Sequence, residues 1–144
     1  MADVQGMSLA DRQAAVDLVY RIFWLIDHGR AAETAALFLP DGTLTFGPGA
    51  PKPGTIAGHA IAAAMAARQA QANVTTRHVL GNPSVTANAD GSLSVSTLLT
   101  LFRSEDSGRD SYPASVADID DVVVRSDAGW RIKARLITPI FNRS

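Results

Sequence analysis

The sequence predicts an α+β fold, with three N-terminal helices preceding a curled antiparallel sheet. Apolar residues recur at helical spacing before about residue 73, and extended runs dominate after it. Short turn signals separate those runs, as in a meander. The 144 residues are enough to bury a sizeable core and are expected to form one domain over 1–144.

Ser8 followed by Asp11 predicts the first helix start, with the acid standing where a capping box prefers Glu. Ala15, Leu18, Val19, Ile22 and Ile26 then form one buried stripe, and Gly29 supplies a stop. Ala31 to Phe38 reads as a short second helix, ended by the turn signal Pro40-Asp41-Gly42. Thr43 to Phe46 alternates as a short strand, and Gly47 to Gly54 reads as an irregular loop. The alanine-rich stretch Ala60 to Ala72 is a third helix, able to lie close against a sheet.

Four extended runs follow: Val74–Ala87, Ser92–Arg103, Ser111–Arg125 and Trp130–Phe141. The separators 88–91, Ser107-Gly108 and 126–129 are short enough to make these runs antiparallel neighbours. A long sheet with helices on its concave side encloses a pocket, and function is sought there.

Composition narrows the function classes. The absence of cysteine excludes a disulfide scaffold, a thiolate metal cluster and a cysteine nucleophile. Thirteen basic against fourteen acidic residues give a net charge of −1, so nothing favours nucleic acid. No apolar run reaches the roughly 20 residues of a membrane span. The stretch MADVQGMSLADRQ lacks the basic-then-apolar layout of a signal peptide. The expectation is a cytoplasmic protein with neither nucleic acid nor membrane as partner.

Asp27 is the most informative acid. It continues the row Val16, Tyr20, Phe23 beside the buried stripe, so it faces either a partly dry cavity or a solvated helix end. Its place in the last helical turn disfavours a negative charge unless a cationic partner compensates. His78 shares one strand face with Thr76, Leu80 and Asn82, as a base near neutral pH or as a core histidine. His28 and His59 are scattered without HxH or HxxxH spacing, so no metal site is expected. No P-loop, GxGxxG or GxSxG is present, and no cofactor is implied. Asp118, Asp120 and Asp121 are read as solvated or paired with Arg131, Lys133 and Arg135. Trp24, Phe46 and Tyr112 are read as pocket or core aromatics.

The segments YRIFWLIDHGR, AALFLPDGTLTF, TTRHVLGNPSV and DDVVVRSDAGWRIKARLI occur in that order. From about Leu9 to Phe141 the chain resembles the SnoaL-like branch of the nuclear transport factor 2-like superfamily. That resemblance implies a cone-shaped α+β barrel, its helices packed on the concave face of a curved antiparallel sheet. The superfamily includes polyketide cyclases, scytalone dehydratase, hexachlorocyclohexane dehydrochlorinase, steroid isomerases, epoxide hydrolases and non-catalytic dioxygenase small subunits. Fold therefore does not settle function.

The dehydratase and dehydrochlorinase type uses an Asp–His dyad, and Asp27 and His78 stand at the matching positions. Arg135 matches a last-strand arginine that some relatives place near the leaving group. By simple alternation it lies with Arg131 and Lys133, so it points inward only if the strand bulges. The tyrosine that precedes the aspartate in scytalone dehydratase is Ile26 here, and Arg21-Ile22 stands where the dehydrochlorinase has its lysine. The resemblance implies a lyase or isomerase acting on a small apolar or cyclic molecule without a cofactor. Tyr20, Phe23, Trp24, Phe46, Asn82, Tyr112 and Arg135 are its expected substrate-binding residues. The alternative is a non-catalytic ligand-binding or assembly domain. Under either reading a homodimer or homotrimer is expected.

Overall fold

The computed structural model describes residues 6–105 and 109–143. Met1–Gln5 of the N-terminal stretch and the Ser107-Gly108 separator lie outside the described residues. Helix α1 spans Leu9–Asp27, and the Ser8 hydroxyl accepts from the Asp11 N–H at 3.0 Å, capping it as expected. Its stripe Ala15, Leu18, Val19 and Ile22 is buried in the core. Residues Ala31–Leu37 form the expected short second helix, wound as a 3-10 helix. Seven residues are too few to repay α-helix nucleation, and the tighter turn suits a connector.

Strand β1 runs Phe38–Phe46, straight through Pro40-Asp41-Gly42. The predicted turn is instead a register shift within the strand, between Phe38 and Thr43. Gly42 lies where an added Cβ would stand 2.9 Å from the Leu39 carbonyl and 3.0 Å from that of Ile132. Strand β2, Gly54–Ala57, was not anticipated; it pairs antiparallel with β1 from Phe46↔Gly54 to Thr43↔Ala57. Helix α2 covers His59–Ala70.

Strands β3 (Thr75–Ala87), β4 (Leu93–Ser104), β5 (Tyr112–Ser126) and β6 (Gly129–Asn142) form the expected meander. The six-stranded order is β2-β1-β6-β5-β4-β3, with β1 parallel to β6. Both ends remain open, giving a curved, unclosed sheet rather than a sealed barrel. Helix α1 lies across the concave face, where Val19 and Ile22 meet Val95, Val123 and Ile132. The result is a cone-shaped α+β fold with a hollow beneath its helices. No described helix is long and apolar enough to cross a membrane.

Candidate active site

Asp27 closes α1 with its side chain turned back toward the sheet. Its Oδ1 accepts from His78 Nδ1 at 2.6 Å and from the Thr76 hydroxyl at 2.7 Å. Oδ2 accepts from the His78 backbone N–H at 2.7 Å. The two side chains are 5% and 12% exposed for Asp27 and His78, so this is not a solvated helix end. Burial pushes the Asp27 carboxyl up. The His78 ring and backbone bonds, its charge and the Thr76 hydroxyl outweigh that and hold it below the ordinary value.

An ionised carboxylate only accepts, so Nδ1 carries the ring proton. In the neutral ring, Nε2 then keeps its lone pair free. Phe23 leans on the imidazole with ring centroids 4.8 Å apart, fixing its plane. Arg77 donates to the backbone carbonyls of Asp27 at 2.9 Å and Thr76 at 2.7 Å, pinning the helix end to β3. A cation there also answers the negative end of the helix dipole.

His78 borders a cavity of about 330 Å³, within the size range of small-molecule sites. Its apolar wall includes Ile22, Phe23, Phe38, Leu44, Phe46 and Ile137. Thr76, Arg68, Arg103 and Arg135 supply the polar lining. Arg68 Nη2 donates to the Thr76 hydroxyl at 2.9 Å. Burial, then the like charge of Arg103, lowers the Arg68 guanidinium against a smaller opposing pull from Asp27.

Arg135 reaches the cavity because β6 bulges. Val123 pairs with Ile132 while Val122 pairs with Ala134, so Lys133 is an extra residue and the alternation flips. Arg135 is 2% exposed and forms a bidentate pair with Asp121, at 2.6 and 2.9 Å. Its guanidinium lies 4.5 Å above the Phe23 ring. Asp121 therefore belongs to the interior, while Asp120 accepts from Ser96 on the other face at 2.8 Å.

Phe23, Phe46 and Arg135 thus share the cavity with His78, and Asp27 stands behind it. The other four expected substrate-binding residues lie elsewhere. Trp24 is 57% exposed and stacks on His28 at 4.0 Å, since one step along the helix turns it to solvent. Tyr20 packs against the main core one turn before the cavity. Asn82 sits in the β3 bulge between Gly81 and Ser84 with φ +52°, which breaks the alternation linking it to His78. It borders a groove with Leu98, Asp118 and Asp120 instead. Tyr112 is an exposed strand-start residue under the Arg143 guanidinium, 4.0 Å away.

Sequence reasoning did not single out Arg68, Arg77 or Met65. The helical spacing of Ala64, Met65 and Arg68 is the signal that finds two of them, since all three line the cavity.

The SnoaL-like domain family matches residues 7–136. Among solved structures, ActVI-ORFA from Streptomyces coelicolor is similar at 19% identity and TM-score 0.75, covering 90% of this chain and 96% of its own. A candidate scytalone dehydratase from Novosphingobium aromaticivorans aligns at 17% identity and TM-score 0.77, covering 94% and 87%. The beta subunit of a candidate aromatic-ring-hydroxylating dioxygenase from the same organism aligns at 18% and 0.77, covering 93% and 92%. No curated protein sequence matches significantly. With its cone-shaped fold and a family match over nearly its whole length, the chain belongs to the SnoaL-like domain family.

Proposed function

We propose that this protein is a cofactor-independent lyase or isomerase of the dehydratase and cyclase type. The observation that carries the reading is the 2.6 Å bond from His78 Nδ1 to Asp27, beside an apolar cavity that His78 lines. Nε2 abstracts a proton from carbon next to a carbonyl or leaving group. Asp27 holds the tautomer and stabilises the imidazolium that forms. The proton then returns to the leaving group or to another carbon, which completes elimination or a double-bond shift without a redox step. Apolar walls exclude water and position the substrate, supplying the acceleration that general base catalysis leaves over.

The test is a panel of cyclic β-hydroxy ketones, followed for water loss by absorbance and for α-proton exchange in D₂O by NMR. We expect turnover by the wild type and a loss of about 10²–10⁴-fold in His78→Ala. Turnover unchanged by that substitution overturns the reading.

A second reading, a non-catalytic assembly domain, draws on the similarity to the dioxygenase beta subunit and on exposed apolar side chains. Val79, Leu98, Phe102 and Leu136 stand exposed on the convex sheet face. Co-purification with a larger iron-bearing subunit, together with silent His78 chemistry, favours that reading.

A further inference from the structure

We infer that Arg68 of α2 and Arg103 of β4 form an anion-binding subsite at the solvent end of the cavity, for the carboxylate of a cyclic substrate. This deepens the proposed reaction and rests on it for the identity of the reacting end.

The strand register places the two functions side by side. Thr76 pairs with Arg103, and His78 pairs with Leu101, so Arg103 lies one residue row from His78 on the concave face. A row is two residues, or roughly 7 Å along the strand. Arg68 reaches the same row from above, through its 2.9 Å bond to the Thr76 hydroxyl. Both arginines border the cavity and both are part-exposed, whereas Phe38 and Leu44 are buried deeper within it.

Among the described residues the positive charge at this end is only partly paired. Among the described residues Arg68 has no ion-pair partner, and Arg103 pairs with Glu105, whose side chain is 70% exposed. Arg135 is a different case, neutralised in full by the bidentate Asp121. Asp27 is occupied by three donors from Thr76 and His78. Two guanidiniums that repel each other beside an apolar hollow are relieved by one carboxylate, whose oxygens match their planar forks. Glu105 already shows a carboxylate on Arg103, and a ligand would take its place. Anchored there, a ring extends along the wall and brings its far side to His78 Nε2.

The probes are 1-naphthoate and its neutral isostere 1-naphthamide, titrated into the full chain by calorimetry. Wild-type protein is expected to bind the carboxylate about tenfold more tightly than the amide, the increment of charge-assisted bonds. That preference falls as salt is raised, a readout needing no variant. Arg68→Gln and Arg103→Gln each lose the preference while keeping amide affinity, and Arg68→Lys retains most of it. A merely structural Arg68 would shift both probes together. His78→Ala keeps the preference, so failure of the base chemistry leaves this result standing. Equal affinity for acid and amide in the wild type, or no binding of the carboxylate, overturns the subsite.

Discussion

Asp27 concentrates the residue-scale chemistry, because one carboxylate receives three donors while its helix end would rather hold a cation. Asp27→Asn turns an amide N–H₂ toward one of those donors and leaves a buried N–H unpaired. We expect a loss of about 1–3 kcal/mol in urea unfolding and turnover reduced at least about 10²-fold, since the tautomer is no longer enforced. The pH dependence follows from the lowered carboxyl. The folded state holds Asp27 ionised below its ordinary value of 3.8, so its stabilisation is fully present above that pH. It is lost as pH falls through the lower folded value. Urea midpoints of wild type and Asp27→Asn should therefore converge as pH falls through that lowered value; a gap that persists unchanged in acid contradicts the argument.

Bulges set the chemistry at the scale of elements. The extra residue Lys133 turns Arg135 inward beside Asp121, and the β3 bulge turns Asn82 away from His78. Asp121→Ala strands the buried guanidinium and is expected to cost about 3–5 kcal/mol by denaturant unfolding. Replacing both partners with well-packed apolar residues should recover much of that loss. Strand β1 carries a similar device at Gly42, where backbone carbonyls of Leu39 and Ile132 close in. Gly42→Ala should lower stability by about 1–3 kcal/mol, because neither carbonyl can yield without opening the β1–β6 pairing. A thermal midpoint equal to wild type would contradict this.

The whole molecule joins an inward-facing hollow to an outward apolar surface. Helices over the concave face leave space that side chains do not fill, while Val79, Leu98, Phe102 and Leu136 remain exposed outside. Exposed apolar side chains on that face favour self-association through the sheet. Light scattering is expected to report a dimer or trimer, and Leu98→Glu to shift it toward monomer. A monomeric wild type at micromolar concentration contradicts that expectation.

Local patterns were legible because helix and strand periods are short-range properties. The α1 stripe, the Ser8 cap, the four long strands and the common face of Thr76 and His78 follow from spacing alone. So does the row that places Asp27 beside the buried stripe. The family resemblance supplied the expectation that Asp27 meets His78, 51 residues away in sequence, a pairing that no local period contains. Packing settled the rest: β1 alongside β6, Trp24 in solvent, the Asp121–Arg135 pair turned inward, and Arg68 over Thr76. A single-residue bulge reverses every side chain beyond it, and cross-strand fit chooses where bulges fall. A period-two pattern cannot register that choice. Short-range spacing therefore carries the elements and the local settings of Asp27 and His78, while packing selects which charges share the cavity.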